Sequence, residues 1–393
     1  MAGIYIHIPF CKKACHYCNF HFSTGVKYKR DFLEALFIES GLRKEYLGSE
    51  KVNTIYFGGG TPSLLSTEEI IRIIDMLYTY FKIDNRAEIT LEANPDDLTA
   101  NGSASFGSAQ DESLTTNGGG YLDLLRNTPV NRLSIGVQSF IDNDLKFMNR
   151  SHTALQAMQA IKSSQDKGFE NISVDLIYGI PGLSLQNWES NINKLMEMKI
   201  PHISAYCLTV EEKTPLHTFI RKGLVPDIDQ DEGALQYEAL MRIMEQNNYL
   251  HYEISNFSKK GFISRHNSNY WRGEHYLGLG PSAHSFNGFS RQWNIANNQF
   301  YIKGLKAGEL NFEIEQRDSR CRYNEYVLTS LRTIWGTDIS VLKQDFEPDF
   351  ASHFEKAAAK HLGTLLMCEN SVYSLTAKGK LLADRITTDL LMD

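Results

Sequence analysis

Strand-like runs alternate with helix-like segments through the first 210 residues of the chain. The strand-like runs are Ile4–Pro9, Asn53–Phe57, Glu88–Glu92, Arg132–Gln138, Ser173–Tyr178 and His202–Thr209. The helix-like segments are Lys29–Leu47, Thr67–Phe81, Thr153–Lys167, Leu185–Met198 and Gln230–Asn247. This alternation predicts a parallel sheet with right-handed crossovers. Because six repeats are too few for a complete eight-fold barrel, we expect an α/β fold with an open, partial (β/α)6 barrel.

The composition narrows the class of protein. The chain has 393 residues, enough for two or three domains. Its net charge of −7 gives no indication of a basic surface that would bind nucleic acid. No apolar run is long enough for a membrane span, and the N-terminus has no signal-peptide pattern. Three of the six cysteines are clustered and three are scattered, which is not a disulfide framework. These features predict a cytoplasmic protein.

Three regions are predicted along the chain. Residues 1–210 form the barrel, with a flexible insertion at 100–120 that is rich in Gly, Ser and Asn and has no apolar period. We expect this insertion to be dispensable for folding. Residues 211–310 form a middle region rich in His, Asn and aromatic residues. Residues 311–393 form a small, mainly helical domain of winged-helix-like shape.

Cys11, Cys15 and Cys18 directly follow the first strand-like run. A cubic four-iron, four-sulfur (4Fe-4S) cluster needs four ligands, so three thiolates would leave one iron open to a small molecule. Other interpretations remain open. Cys15 and Cys18 match a dithiol, and the three cysteines could be buried structural residues. Zinc could also bind the thiolates together with a nearby histidine, namely His7, His16 or His21.

Four further features also follow or end strands. Gly58–Pro62 follow the second strand, Glu92 ends the third, Gln138 ends the fourth and Asp175 lies in the fifth. Because the carboxyl ends of parallel strands meet at one rim of a barrel, we expect these residues to converge with the cysteines. The glycines alone would fit an ordinary tight turn equally well.

The cysteine spacing after YIHIPF, together with GGGTP at Gly58–Pro62, resembles the radical S-adenosylmethionine (radical SAM) superfamily. It is most similar to the branch that contains oxygen-independent coproporphyrinogen III oxidases (HemN) and heme chaperones (HemW). The resemblance covers nearly the whole chain. Its other segments are LEANP at Leu91–Pro95, NRLSIGVQSF at Asn131–Phe140, VDLIYGIPG at Val174–Gly182 and the C-terminal LTAKGKLLADRI.

The resemblance implies a 4Fe-4S cluster on Cys11, Cys15 and Cys18, with SAM on the open iron, and an electron donor that reduces the cluster. The positions that match the family's SAM contacts are Tyr5, Tyr17, Gly59, Gly60, Thr61, Glu92, Gln138, Arg150 and Asp175. Carboxylates there can accept hydrogen bonds from ribose hydroxyls. Asp175 is the most informative of these, because a charge in an apolar strand needs a partner.

Three features favour the chaperone over the oxidase. Phe20 stands where the oxidase pattern has a further cysteine, the motif strand begins already at Ile4, and His266–Trp271 matches an H-N-x-x-Y-W pattern of the chaperones. The resemblance therefore implies a protein that binds heme and delivers it to an acceptor protein. Respiratory and membrane-bound proteins are among the candidate acceptors.

His266 is the candidate heme contact, and the alternative is an ordinary hydrogen-bonding histidine. His251, His275 and His284 are weaker candidates. Two other functions stay open. One is oxidative decarboxylation of porphyrinogen propionates by a true oxidase, and the other is a zinc-stabilised adaptor.

Overall fold

The computed structural model describes residues 1–99 and 120–392. The predicted insertion at 100–120 lies outside the described residues, except for Gly120. Within the described ranges, no helix is long and apolar enough to cross a membrane.

Six parallel strands form the centre of the structure. They lie side by side in chain order, and each pairs in parallel with the next. They are β1 (Ala2–Ile8), β2 (Val52–Gly59), β3 (Ile83–Ala93), β4 (Arg132–Gln138), β5 (Ile172–Tyr178) and β6 (His202–Cys207). The prediction of an α/β partial barrel with six parallel strands is confirmed, and the strand ends differ from the predicted ones by a few residues.

Helices of the barrel connect these strands and cover the sheet. They are α1 (Lys29–Leu42), α2 (Thr67–Tyr80), α3 (Pro95–Leu98), α4 (Tyr121–Leu125), α5 (Asp142–Phe147), α6 (Ala154–Asp166), α7 (Leu185–Glu197), α8 (Pro215–Arg221) and α9 (Gln230–Gln246). The five predicted helices are confirmed, although α1 ends five residues early. In α2, Ser66 and Glu69 form a capping box and a buried face of Ile and Leu packs inward.

The middle region extends the same sheet on both sides. Its elements are β7 (Leu250–Glu253), β8 (Asn256–Ser258), α10 (Arg265–Trp271), β9 (His275–Leu279), β10 (His284–Phe286), β11 (Ser290–Asn294), α11 (Asn298–Lys306) and β12 (Phe312–Gln316). β9 pairs in parallel with β1, whereas β8 pairs antiparallel with β6. One hydrophobic core of described residues therefore runs from Ala2 to Leu305. The three-way division drawn from the sequence stays a prediction.

A second core occupies the end of the chain, where helices surround a small antiparallel sheet. We call residues 318–392 the C-terminal unit. Its elements are α12 (Ser319–Leu331), β13 (Thr337–Asp338), α13 (Ile339–Asp345), α14 (Pro348–Ala358), β14 (Leu366–Glu369), β15 (Val372–Leu375), α15 (Ala377–Leu381) and α16 (Ala383–Leu390). The mainly helical, winged-helix-like end predicted from the sequence is confirmed. This unit joins the barrel where the Ile254 amide donates to the Arg332 carbonyl oxygen, over 3.1 Å.

Candidate functional site

A cavity of about 1200 Å³ opens at the carboxyl ends of the barrel strands. It exceeds the roughly 300–1,000 Å³ that a small ligand usually fills. Most of the predicted site residues line it. These are Cys11, Cys15, Cys18, Tyr17, Gly59, Gly60, Thr61, Glu92, Gln138, Arg150 and Asp175. Tyr5 and His266 are not among the lining residues. Residues from five different strands are thus brought together as parallel-barrel geometry requires.

The three cysteines sit half-buried on the loop after β1. The loop is held by backbone bonds, among them one of 3.0 Å from the Cys11 amide to the Ser23 carbonyl oxygen. Burial raises the pKa of the Cys11 thiol to about 11 and also raises that of Cys18. Thiolates at this depth need a compensating positive charge, which the irons of a cluster would provide. The donor set therefore fits a 4Fe-4S cluster.

The geometry of the loop does not fit a single metal ion. Within residues 1–99 and 120–392, no group of three or more His, Cys, Asp or Glu side chains is close enough to hold one. Of the nearby histidines, His7 Nε2 pairs with the His21 carbonyl oxygen at 2.8 Å and His16 Nδ1 with that of Phe147 at 2.8 Å, and within the described residues neither ring belongs to a group that could hold a metal ion. In a cubic cluster each thiolate binds a different iron, so three separated thiols are compatible with it.

Arg150 connects the cysteine loop to the strand ends. Its Nη2 donates to Asn94 Oδ1 at 2.7 Å and to the Gly136 carbonyl oxygen at 2.8 Å. Its Nη1 lies 3.4 Å from Cys15 Sγ and 3.5 Å from the Tyr17 hydroxyl. A fixed guanidinium beside the cysteines adds positive charge where thiolate ligands would sit.

The glycine turn after β2 packs directly against the cysteine loop. Gly59 has φ +103°, which favours glycine, and a Cβ on it would lie 2.6 Å from the His7 ring. A Cβ on Gly60 would lie 2.6 Å from the Phe10 carbonyl oxygen and 2.8 Å from that of Ile8. Packing alone therefore accounts for these glycines, and their contact with SAM stays a prediction.

The two predicted carboxylates both have partners inside the barrel. The Tyr56 hydroxyl donates to Glu92 Oε1 at 2.8 Å, and the Ser134 hydroxyl lies 3.3 Å from Asp175 Oδ2. Burial raises the pKa of Glu92 to about 7, and the charge of Asp175 acts in the same direction. Burial likewise raises the pKa of Asp175 to about 6, against hydrogen bonds from Ser204 and Ser134. Such carboxyls favour a ligand that brings hydroxyl donors or positive charge.

Gln138 occupies the end of β4, where the register with β5 shifts after Gly136. Its φ of +67° is unusual for a residue other than glycine. This backbone conformation lies at the rim of the cavity, a common place for strained residues at binding sites.

His266 lies beneath the site, in the floor of the barrel. Its side chain is only 1% exposed; Nδ1 pairs with Thr54 Oγ1 at 2.8 Å and Nε2 with the Tyr270 hydroxyl at 2.9 Å. Its ring stacks on Tyr56 with centroids 4.9 Å apart, and Tyr5 stacks on the same pair. Burial lowers the pKa of His266 to about 3, so the ring is neutral. In this arrangement neither ring nitrogen is available to heme iron. Ligation of heme by His266 stays a prediction, and it would require these two hydrogen bonds to break.

The sequence patterns did not identify several residues that line or support the cavity. Tyr56 holds Glu92, Asn94 holds Arg150, and Arg132 and His202 line the deeper part of the cavity. The alternation of β2 places Tyr56 on the same face as Thr54, so inward periodicity could have found it. Asn94 stands inside the LEANP segment already singled out. Arg132 gave no signal, because an arginine at the start of a strand is usually solvated.

Comparisons with known proteins agree with this geometry. Residues 5–195 match the model of the Radical SAM superfamily. The heme chaperone HemW of Lactococcus lactis subsp. lactis is 33% identical over 396 residues, covering 99% of this chain and 97% of the relative. The heme chaperone HemW of Bacillus subtilis is 33% identical over 393 residues, covering 98% of each chain.

Among solved structures, coproporphyrinogen III oxidase (HemN) from Escherichia coli, a radical SAM enzyme, aligns with a TM-score of 0.79. The alignment covers 100% of this chain and 90% of that chain at 21% identity, a likeness that shows the fold alone. The family is shown by the relatives that match along their whole length. The chain belongs to the radical SAM superfamily and, within it, to the family of the heme chaperone HemW.

Proposed function

We propose that this protein binds heme together with a 4Fe-4S cluster and SAM and delivers the heme to an acceptor protein. The observation that carries this proposal is the pair of full-length relatives, both named heme chaperones, at 33% identity. The cavity supports it, because its volume leaves room for a ligand beside SAM. The acceptor and the electron donor are partners of unassigned identity, and the clustered cysteines favour the reducing cytoplasm.

Cys11, Cys15 and Cys18 would hold the cluster, and SAM would occupy the strand ends beside it. Once bound, the reduced cluster and SAM supply one-electron chemistry of the radical SAM type. The chain's own residues orient and shield that site. Arg150 fixes the cysteine loop on the strand ends, and Glu92 and Asp175 present acceptors for ribose hydroxyls. Tyr56 holds the Glu92 carboxyl in place from below.

A second candidate function is oxidative decarboxylation of a porphyrinogen, which the likeness in fold to coproporphyrinogen III oxidase raises. Phe20 argues against it. This side chain is 68% exposed and lines the cavity at the position where the oxidase pattern has another cysteine. An exposed phenyl ring offers apolar contact to a porphyrin and no redox or ligand chemistry. The chaperone is therefore the better supported proposal.

Titration of the purified, cluster-loaded protein with heme tests the proposal. We expect a saturable heme spectrum at one heme per chain, followed by loss of that spectrum when an apo-heme acceptor is added. Serum albumin, a non-specific heme sink, serves as the control for passive loss. A protein that takes up no heme at stoichiometric concentrations would contradict the proposed function.

A further inference from the structure

The C-terminal unit supplies one wall of the cavity, and that wall is cationic. It contributes three positive side chains and one carboxylate, namely Arg332, Lys380, Arg385 and Asp384. The barrel and the middle region contribute both signs of charge to the same cavity: four carboxylates, on Glu92, Asp175, Glu211 and Asp227, and three cations, on Lys13, Arg132 and Arg150. The chain as a whole carries a net charge of −7, so a cluster of positive side chains on one wall contrasts with the negative charge of the rest of the protein. The proposed sites of the cluster and SAM lie on the barrel side and would not account for it.

Arg332 is the most constrained of these cations. Its backbone oxygen accepts from the Ile254 amide, its Nη1 donates to Asp384 Oδ1 at 2.7 Å, and its guanidinium lies 5.8 Å from the centre of the Trp271 ring. Its Nε is buried and has no hydrogen-bond partner among residues 1–99 and 120–392. The buried Glu253 is nearby, but it already accepts from the Asn256 side chain and the Ser255 amide. Arg332 therefore keeps donors for a further acceptor.

Lys380 has no carboxylate partner within ion-pair distance in the described chain. Its Nζ donates to the neutral His251 Nδ1 at 3.0 Å. Burial lowers the pKa of Lys380 to about 8, and only Glu245 acts against this from farther away. A buried ammonium bonded to a neutral ring gains much more from an anionic acceptor than a solvated one does.

The surface next to these cations is apolar and partly aromatic. Tyr178 and Tyr237 stack with centroids 5.9 Å apart and ring planes 8° from parallel, and both line the cavity. Leu208, Ile254 and Leu381 line it beside them. A flat apolar surface edged by cations matches a planar, apolar ligand that carries carboxylates along one edge.

We propose that Arg332, Lys380 and Arg385 form a carboxylate-binding site for the two propionates of heme, between the barrel and the C-terminal unit. This inference rests on the proposed function, because it places the heme that the chaperone would carry. SAM is a poorer match for this wall than heme, since its sulfonium and ammonium groups outweigh its single carboxylate, whereas heme carries two propionates and no cationic side group. Heme bound here would bridge the two cores and would lie away from the buried His266.

Esterified heme separates the carboxylates from the macrocycle. We would titrate the cluster-loaded protein with heme and with heme dimethyl ester, whose propionates carry no charge. The wild type should bind heme at least about tenfold more tightly than the ester, as loss of charge-assisted hydrogen bonds predicts. Lys380→Gln and Arg385→Gln should each weaken heme binding and leave ester binding unchanged. The double variant should lose most of the preference for heme over the ester, with Arg332 accounting for what remains.

Lys378→Gln is the matched control, because Lys378 is an exposed lysine on the same helix and does not line the cavity. It should retain the full preference for heme. Arg332→Gln would also remove the contact of the Arg332 guanidinium with the Trp271 ring, which joins the two units. If the Arg332→Gln protein fails to fold, the Lys380→Gln and Arg385→Gln variants decide the test. SAM affinity should stay constant in all variants.

The outcomes separate the two proposals. If the wild type binds heme and ester alike, or if the double variant keeps the full preference of the wild type, the propionate site is wrong and the chaperone function stands. If added phosphate competes with heme as strongly as free propionate does, the cations form a general anion site and the assignment to heme is overturned. If the wild type binds neither porphyrin, the proposed function itself fails.

Discussion

Asp175 is the residue on which the SAM site depends most directly. It stands on β5 with only hydroxyl donors beside it, so a ligand with ribose hydroxyls would gain a strong acceptor there. Asp175→Ala should weaken SAM binding to the cluster-loaded protein by roughly 1.5–3 kcal/mol, the value of a hydrogen bond to a charged group. Calorimetric titration measures this loss. Asp166→Ala, on the exposed side of α6, is the control, and equal SAM affinity in both variants would remove Asp175 from the site.

The cluster ligands give a second prediction. Cys15 lies in the cavity beside Arg150, whereas Cys368 is exposed on β14 of the C-terminal unit. After anaerobic reconstitution, Cys15→Ala should lose the cluster absorbance and most of the bound iron, while Cys368→Ala keeps both, because only Cys15 belongs to the ligand set. Iron and sulfide analysis provides the measurement. Full iron content in the Cys15 variant would refute the ligand assignment.

The raised carboxyl pKa values make the stability of the cofactor-free protein depend on pH. Glu92 titrates at about 7 and Asp175 at about 6 in the folded protein, above their ordinary values near 4. Between about pH 4 and 7 these two carboxyls therefore bind more protons in the folded state than in the unfolded state, so their contribution to the free energy of unfolding falls as the pH rises. Buried neutral histidines such as His251 and His266, whose pKa values are lowered to about 3, contribute with the opposite sign.

Denaturant unfolding at pH 5, 6 and 7.5 measures this slope. The double variant Glu92→Gln with Asp175→Asn lacks the two carboxyls and should gain stability relative to the wild type as the pH rises, since neutral amides cannot titrate. An equally steep slope in the double variant would show that other groups cause it.

At this scale, much of the site could be predicted. Residues at or beyond the middle of parallel strands, such as Glu92 on β3 and Asp175 on β5, converge because parallel topology places them near the same rim. His266 could not be placed correctly from its motif, because the motif gives residue types and not the depth at which α10 packs. Its burial is set by contacts with Thr54 and Tyr56, over 200 residues earlier in the chain.

Among the elements, α10 has a role that the sequence did not indicate. This short helix closes the lower end of the barrel: Glu88 accepts from the amides of Arg265 and His266, and His266 supports the ring of Tyr56. Since Tyr56 in turn holds Glu92, the helix supports the proposed SAM site from below.

His266→Ala should therefore lower the free energy of unfolding by roughly 1–3 kcal/mol, because it leaves buried Thr54 and Tyr270 hydroxyls without their partner. Urea unfolding of the cofactor-free protein measures the change, and His217→Ala on α8 serves as the control. If His266→Ala left stability unchanged but abolished the heme spectrum, the role of His266 would be ligation rather than support.

The regular elements were predictable because their signals are local. The capping box of α2 and the apolar runs of the parallel strands lie within short windows. The pairing of β9 with β1 was not predictable, because it joins residues more than 270 positions apart and no local pattern specifies that register. For the same reason, no sequence pattern indicated that strands of the middle region continue the barrel sheet.

At the scale of the whole molecule, two cores enclose one cavity whose walls differ in charge. The barrel side presents three thiols and side chains of both charges, which suit a cluster and a cofactor that carries both charges. These charged side chains include the carboxylates of Glu92 and Asp175 and the cations of Arg132 and Arg150. The side formed by the C-terminal unit presents Arg332, Lys380 and Arg385, which suit an anionic ligand. If the proposed sites are right, this arrangement would let one protein hold SAM and heme together, and the heme site would need both units in place.

The central claim is that this site carries heme and does not turn over a porphyrinogen. The most direct test incubates the anaerobically reconstituted protein with SAM, a strong reductant and coproporphyrinogen III, and in parallel with heme and an apo-heme acceptor. We expect heme to reach the acceptor faster than from serum albumin, with less than one porphyrinogen decarboxylated per protein. Protoporphyrinogen formed over many turnovers, without heme transfer, would contradict the account.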